Sequence, residues 1–595
     1  MEDQYTHLHL PRRCLYCLTI LVALIIGGCS DGVSVTEQQF EAPTSPNPEP
    51  PVTPIEPVQP QPPLPVSEAR LSVHNDGFEG DFFSGAGQCS DCHNDLTDEL
   101  GNDVSIVRDW STSMMANSAR DPYWIAKVAA EVQRNPSLAD EIDDTCSRCH
   151  APMANDTGRK QNTPVKLLGD NSILNDDNAL FDHAMEGVSC TLCHQVRDDG
   201  LLGTVEGTSG NFDIAVQARR SDRPAYGPYV DPLGVRMRTQ SQFNPVFGEH
   251  ITQSKTCAAC HDLRTPAFGE QGETLASDYF PEQMVYSEWL NSVYAQPGES
   301  ERNCQSCHMP EVEGSMLIAS SGGGILREGF SRHTFLGGNT VMQNILMNNA
   351  DALGIRVPRE EFEKSISRNR EFLATSAAID IVSSEREGSD LVSRVRVQNL
   401  AGHKLPSGFA SRRVLIHFVV RDANGSIVFE SGKLNADGSV VGINTDTDSL
   451  EYEPHYDVIS TPDQVQVYEA IMGDSAQQVT HTLLNASVYL KDNRLLPAGF
   501  DKLTAADDIL TRGLAFNDVN FDAMGDEIVY RVPVASNGDL TVSASLVYQP
   551  LAYGHLQDLF AADNLDDVAY FKGLFDAATL KAELLANDTQ AVVAQ

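Results

Sequence analysis

Positive charge is scarce in this sequence. Its 595 residues include 42 Lys and Arg against 83 Asp and Glu, which gives a formal net charge of −41 at pH 7. Nucleic-acid binding needs a basic footprint, so this balance excludes nucleic acid as a partner. It favours high solubility and cationic partners or surfaces, although adaptation to a salty environment would produce the same balance.

The sequence also lacks cysteines for structural disulfides, which exported proteins often use. Of its 13 cysteines, Cys14 and Cys17 lie in an apolar N-terminal stretch, Cys29 follows that stretch, and the other ten form five C-x-x-C pairs. A His follows each of those five pairs directly. The ten paired cysteines are therefore committed to a different task from chain cross-linking.

The repeated pattern, C-x-x-C-H, is the attachment sequence of c-type haem. The two thiols form thioether bonds to the haem edge, and the adjacent His is the proximal ligand of the iron. Composition alone would produce roughly 0.008 such matches. Zinc would need paired C-x-x-C units with no role for each His, and disulfides would leave five His unexplained. We predict five haem c groups on Cys89, Cys92, Cys146, Cys149, Cys190, Cys193, Cys257, Cys260, Cys304 and Cys307, with proximal ligands His93, His150, His194, His261 and His308.

A low-spin electron-transfer haem needs a distal ligand as well, usually His or Met. The candidates that stand in suggestive contexts are His183, His250, His333, His403, His74, Met114 and Met115. A lone His is more often structural and paired Met is ordinarily core filler, so both interpretations stay open. His403 lies in a predicted β domain, and its ligation would fasten that domain to the haem domain through iron. Candidate partners of the haem propionates are Arg120, Arg148, Arg197, Arg219 and Arg220.

The N-terminal 66 residues have the features of an exported, anchored protein. Residues 1–28 combine Arg12 and Arg13 with a short apolar run, as a signal peptide does. The end of that run, IIGGC, resembles a bacterial lipobox, which implies acylation of Cys29; a plain cleaved signal is the alternative. Ser30 rather than Asp follows, which favours the outer membrane. Residues 29–66 are Pro-rich, so we expect an acylated Cys followed by an extended linker, or alternatively a ligand for a recognition domain.

The hydrophobic pattern of the remaining sequence divides it into several predicted segments. Residues 67–345 carry all five motifs, with short helices and loops expected between them. A charged helical connector is predicted over 346–375, and β-branched alternation separated by turn signals predicts an antiparallel β-sandwich-like domain over 376–550. Residues 551–595 are predicted to form an acidic helical tail. The predicted fold class is therefore α+β and multidomain, with a mainly helical and loop-rich haem domain before a β-sandwich-like domain.

A family resemblance rests on the first three motifs, on WSTSMMANSARDP between the first two, and on GVSCTLCHQ at the third. These stretches resemble the cytochrome c-554-like electron carriers, in the superfamily that includes pentahaem nitrite reductase. The resemblance covers about residues 80–340 and implies closely packed haems that pass electrons along the chain. In that family a His ligand often follows the position of Trp110, whereas Met114 and Met115 stand here. The run GHKLPSGFASRRV resembles a C-terminal domain of uncharacterised bacterial multihaem lipoproteins.

These observations favour an electron-transfer protein over an enzyme. We expect an extracytoplasmic bacterial lipoprotein, anchored by its lipid to the outer membrane. It would exchange electrons with redox partner proteins or pass them to a periplasmic or extracellular acceptor. The alternative is a reductase of nitrite, hydroxylamine or a similar small oxyanion with one open haem; whether the chain is an enzyme stays open. A third possibility makes the β domain a binding module, which its fold alone cannot decide.

Overall fold

A computed structural model describes residues 78–594, except 270–271, 322 and 536. The described residues belong to one unit that spans Pro63–Gln595. The predicted signal peptide, the acylated Cys29, the Pro-rich linker and His74 all lie outside the described residues. Within the described part, no helix has both the length and the apolar character needed to cross a bilayer.

Short helices joined by loops run through the N-terminal region. Each begins and ends within a few turns because Gly, Pro and Asn interrupt the helical pattern frequently. The helices are α1 Gly87–His93, α2 Ile106–Ser111, α3 Pro122–Arg134, α4 Ala139–His150, α5 Pro152–Gln161, α6 Phe181–Met185, α7 Cys190–Cys193, α8 Gly234–Ser241, α9 Lys255–His261, α10 Val285–Leu290, α11 Cys304–His308, α12 Thr340–Asn348 and α13 Arg359–Leu373. Three two-stranded sheets lie among them: β1 Arg223–Gly227 with β2 Phe243–Phe247, β3 Asp262–Phe268 with β4 Thr274–Met284, and β5 Met316–Leu317 with β6 Leu326–Arg327.

Helix α3 shows how the sequence sets a local boundary. The Asp121 carboxylate accepts hydrogen bonds from the backbone N–H groups of Tyr123 and Trp124 at 2.9 and 3.4 Å, and Pro122 occupies the first helical position. This arrangement satisfies orphan donors of the first turn, which is the role of an N-cap residue. The cap fixes where α3 begins.

A β-rich region of two larger sheets follows the helical region. Its strands are β7 Ala377–Glu387, β8 Asp390–Asn399, β9 Arg413–Asp422, β10 Ile427–Ser431, β11 Val458–Ile459, β12 Val467–Gly473, β13 Val488–Asp492, β14 Asp526–Pro533, β15 Leu540–Gln549 and β16 Glu583–Val592. One sheet has the order β13-β12-β9-β15-β16, with β10 also paired to β9, and the other has the order β11-β14-β8-β7. The predicted order of a helical region and then a β-rich region is confirmed in this coarser form.

One cluster of buried apolar side chains receives residues from both larger sheets. Phe418 of β9 stacks on Tyr530 of β14 with ring centroids 3.8 Å apart, and Val395 and Val542 belong to the same cluster. Alternating burial along β8, β14 and β15 places these side chains inward. The pairing of β11 with β14 is parallel, so the smaller sheet is not purely antiparallel as predicted.

The C-terminal tail differs from the helical expectation. After α14 Tyr553–Phe560 and α15 Asp566–Ala577, the last element is strand β16, which pairs with β15. Its sequence alternates in burial, with Leu585 buried and Leu584 exposed, and the free edge of β15 supplies the partner. Tertiary pairing therefore overrides the helical propensity of this segment. Helices α14 and α15 instead pack against α3.

Candidate haem-binding sites

Each C-x-x-C-H motif lies at the C-terminal end of a short helix. Helices α1, α4, α9 and α11 end on the motif His, and α7 ends one residue before His194. Residues three apart on a helix share a face, so both thiols of a motif point to the same side. None of the ten motif cysteines forms a disulfide. The local geometry therefore suits attachment of one planar group per motif.

The motifs touch one another through their thiols. The pKa of Cys89 is raised by its hydrogen bond with the Cys190 thiol and by burial, which joins the first and third motifs. A hydrogen bond with Cys149 and burial likewise raise the pKa of Cys260, which joins the second and fourth. Cys257 makes the same kind of contact with Cys304, joining the fourth and fifth. Groups attached at these motifs would lie next to one another.

Backbone carbonyls hold the motif imidazoles in one tautomer. His93 Nδ1 lies 2.7 Å from the Ile318 carbonyl oxygen, and the corresponding distances for His194 to Tyr226 and His308 to Leu336 are both 2.6 Å. A carbonyl cannot donate, so Nδ1 carries the proton and the Nε2 lone pair is free for a metal. The fourth contact, His150 Nδ1 to the Ser118 carbonyl, is longer at 3.4 Å.

Two candidate distal ligands stand opposite a motif His. The rings of His333 and His194 have centroids 6.2 Å apart and lie 24° from parallel. The rings of His403 and His308 have centroids 6.3 Å apart and lie 10° from parallel. An imidazole nitrogen lies about 2 Å from a metal it ligates, so two imidazoles on opposite sides of one iron have centroids roughly 6 Å apart. The residues present therefore fit haem c at the third and fifth motifs.

Burial keeps these imidazoles neutral. It lowers the pKa of His333 to about 3 and the pKa of His403 to about 4, and it lowers the pKa values of His194 and His308 below their usual range. A neutral imidazole is the form that binds a metal. The same cause lowers the pKa of His150 to about 4, so it too is neutral at physiological pH.

The other candidate ligands have different surroundings. His183 lies beside Phe78, its Nδ1 is buried without a hydrogen-bond partner, and its Nε2 would lie only 2.6 Å from a Cβ at Gly80. His250 is buried and its Nε2 donates to the Val196 carbonyl at 2.9 Å. Ligation by His183 and His250 stays a prediction.

The surroundings of the two methionine candidates give no sign of a ligand role. Met114 packs against two apolar clusters that include residues of α12 and α15, as core filler would. The backbone carbonyl of Met115 accepts a hydrogen bond from Val188. Of the propionate candidates, Arg120 is buried and donates to the Met185 carbonyl, and Arg148, Arg197 and Arg220 pair with carboxylates. Arg219 is exposed.

A buried set of charged side chains beside the second motif did not emerge from the sequence. Lys127 and Glu131 of α3 form a 2.7 Å ion pair with both side chains almost fully buried. Glu282 of β4 is buried nearby, and Glu282 and Glu131 both raise the pKa of the Cys146 thiol, after burial itself. Lys127 and Glu131 are four apart on a helix, so from sequence they read as an exposed pair. Only the position of α3 between two regions buries them.

Trp124, also on α3, stacks directly on a motif imidazole. Its ring centroid lies 4.7 Å from that of His150, and the two planes differ by 4°. This contact covers one face of the His150 ring with an apolar surface. It excludes water from that side of the second motif.

The substitution Glu282→Gln should change how stability depends on pH. Burial, followed by repulsion from Glu131, raises the pKa of Glu282 to about 8. An unfolded Glu titrates near about 4.3, so between the two values the folded state holds a proton that the unfolded state releases. The free energy of unfolding therefore falls as pH rises from about 4.3 to about 8, because the buried Glu282 resists ionisation in the folded state. Gln does not ionise, so the variant should not show this fall in stability.

Chemical denaturation at pH 5 and pH 9 measures this effect. Glu282→Gln should exceed the wild type at pH 9 by on the order of 2 kcal/mol, a difference that shrinks toward pH 5. Glu313→Gln, at an exposed position, is the matched control and should show no such change. Equal pH profiles for wild type and Glu282→Gln would contradict the raised pKa.

One further group of potential metal ligands lies in the β-rich region, where His455, Asp457 and Asp518 converge. The His455 Nδ1 accepts hydrogen bonds from the side-chain amides of Gln466 and Asn493 at 2.9 and 3.1 Å. Its proton must then lie on Nε2, which donates to Asp518 at 3.0 Å. No lone pair of His455 remains for a metal, so these residues form a structural hydrogen-bond network.

Part of this chain is similar to known cytochromes. Residues 88–195, which contain the first three motifs, match the family model described as cytochrome c554 and c-prime. A solved structure of a penta-heme cytochrome c552 from Thermochromatium tepidum is similar, with 15% sequence identity and a TM-score of 0.45, over 85% of this chain and 98% of that chain. No curated protein matches. Together with the five attachment motifs, the family match supports a multihaem c-type cytochrome.

Proposed function

We propose that this chain is an electron-transfer protein with five covalently bound haem c groups. The observation that carries the proposal is the facing of imidazoles at two of the five C-x-x-C-H motifs, His333 opposite His194 and His403 opposite His308, at the spacing of two ligands on one iron. A bound c-type haem supplies reversible one-electron chemistry at its iron.

The chain's own residues would hold and tune these groups. The paired cysteines fix each group, and the motif His binds the iron with its tautomer set by a backbone carbonyl. His333 and His403 complete the third and fifth sites, and His183 is a candidate for another. A short Nδ1–H bond makes an imidazole a stronger ligand. Burial of these rings keeps water away from the iron.

The proposal extends to the location of the protein and to its β-rich region. The lipobox-like end of the leader supports acylation of Cys29 and an outer-membrane anchor, with the Pro-rich segment as a spacer. Redox partner proteins or an extracytoplasmic acceptor would then exchange electrons with the body. The shared core of the two larger sheets supports a sandwich-like β domain. Its His403 would join it to the fifth site.

A reductase of nitrite, hydroxylamine or a similar small oxyanion is the second candidate. Within the described residues, the rings of His150 and His261 face no second imidazole at the spacing found for His194 and His308. An iron without a distal ligand could bind a small molecule. The buried Glu282, Glu131 and Lys127 near the second motif would then line a polar surrounding.

Mass spectrometry of protein exported with a cytochrome maturation system tests the proposal. We expect the mass of the mature chain plus five haems, because each motif holds one. A Cys190→Ser/Cys193→Ser variant should lose one haem and is the internal control. Fewer than five haems on the wild type would contradict the assignment. Rapid turnover of nitrite or hydroxylamine by the viologen-reduced protein would favour the reductase over the electron carrier.

A further inference from the structure

One surface segment has a composition opposite to that of the chain. Residues 216–248 contain five Arg, two Asp and neither Lys nor Glu, in a protein with a net charge of −41. We name this segment the basic surface. Arg219, Arg236 and Arg238 are exposed on it, and Arg223 is buried. Two of its charged residues are paired with residues outside the segment: Asp231 with Arg327, and Arg220 with Glu79 and Asp81. Arg219, Arg236 and Arg238 carry its exposed positive charge.

The basic surface also exposes apolar side chains. Val235 is 84% exposed and Val230 is 76% exposed, and Leu233 and Val216 are exposed as well. These residues surround α8, which packs against the turn at Arg220–Asp222. Exposed apolar residues interspersed with Arg, without Lys or Glu, match the composition of protein–protein interfaces.

The basic surface lies against two haem motifs. Helix α8 packs on α1, which ends at His93. The backbone of Tyr226 in β1 makes two hydrogen bonds with His194 of the third motif. The Tyr226 carbonyl accepts from His194 Nδ1, and the Tyr226 N–H donates to the His194 carbonyl at 2.7 Å. The first and third motifs also touch each other through Cys89 and Cys190. A protein bound here would lie one layer of residues from both.

We propose that the basic surface is the docking site of an electron-transfer partner that presents an acidic surface. The positive charge of the basic surface favours a partner whose contact surface is acidic. The chain as a whole is strongly acidic and repels acidic proteins, so an acidic partner would be steered to the basic surface, which adjoins two of the motifs. The proposal rests on the electron-transfer function, and the test below separates the two.

Stopped-flow reduction by an acidic [2Fe–2S] ferredoxin tests the docking site. We expect the rate advantage of the wild-type protein over a variant with a weakened basic surface to be largest at low ionic strength and to disappear as salt rises, because salt screens the attraction at that surface. The variant Arg236→Glu/Arg238→Glu should be slowed about tenfold at low salt. Arg356→Glu/Arg421→Glu changes the net charge equally at exposed positions elsewhere and should be slowed much less. Dithionite should reduce all three proteins equally.

Several outcomes would overturn the docking proposal. Equal slowing of both variants would show an effect of net charge alone, and no slowing would place docking elsewhere. A wild-type oligomer that the α8 variant dissociates would make the basic surface an interface between copies of this chain. Binding to anionic vesicles that only the α8 variant loses would make it a lipid contact. Failure of dithionite to reduce the wild type would instead refute the electron-transfer function itself.

Discussion

Replacing His403 by alanine is expected to convert one haem of the protein from low spin to high spin. His403 faces His308 at 6.3 Å between ring centroids, nearly parallel, as the second imidazole on one iron would. Alanine removes that ligand and leaves water or an open position in its place. The electron paramagnetic resonance spectrum should gain a high-spin signal equivalent to one haem, and a redox titration should show that haem at a changed potential.

His417→Ala is the control for this experiment. His417 lies in β9 and is half-buried, and its Nε2 lies 3.1 Å from a Glu430 carboxylate oxygen. It is not a candidate haem ligand. Its loss should leave all spin states unchanged. His333→Ala should reproduce the His403→Ala result at the third motif, because His333 faces His194 in the same way. An unchanged spectrum in His403→Ala would remove the link between the β-rich region and the fifth site.

The five attachment motifs could be predicted because their signal is local. C-x-x-C-H occupies five consecutive residues, and the helical spacing of Cys304 and Cys307 follows from i, i+3 geometry alone. The positions of β8 and β9 could also be predicted from the sequence. Their apolar and polar residues alternate, and the turn after β9, which contains Gly425 with φ of 82°, lies within the same short stretch. His403 could be named as a candidate from its Gly- and Pro-bounded loop.

The partners of those residues could not be predicted, because they depend on long-range folding. The carbonyls of Ile318 and Leu336 that hold His93 and His308 carry no side-chain signal at all. The pairing of His403 with His308, rather than with another motif His, needs the β-rich region to be placed first. Residues 583–592 look helical in isolation and become a strand only because β15 offers a free edge.

Replacing Asp492 by alanine is expected to lower the free energy of unfolding by about 3–5 kcal/mol, because it breaks a buried network of charges. The Lys404 ammonium lies 2.7 Å from Asp492, and the Arg494 guanidinium lies 2.8 Å from both Asp492 and Glu288. All four side chains are almost fully buried. Without Asp492, two buried cations share one carboxylate. Because Lys404 adjoins His403, the same variant should also disturb the spin state of one haem.

Chemical denaturation across pH distinguishes this network from surface ion pairs. The neighbouring Arg494 and Lys404 hold the pKa of Asp492 well below its usual range, despite burial. Its stabilisation is therefore present above about pH 3.9 and is lost as pH falls toward the folded-state value, so the gap between wild type and Asp492→Ala should narrow in acid. The double variant Lys404→Met/Asp492→Ala leaves Arg494 paired with Glu288 and should recover part of the loss. Arg531→Ala removes an exposed pair with Glu387 and should cost no more than about 1 kcal/mol. If Asp492→Ala cost no more than Arg531→Ala, the buried network would stabilise the fold no more than a surface ion pair does.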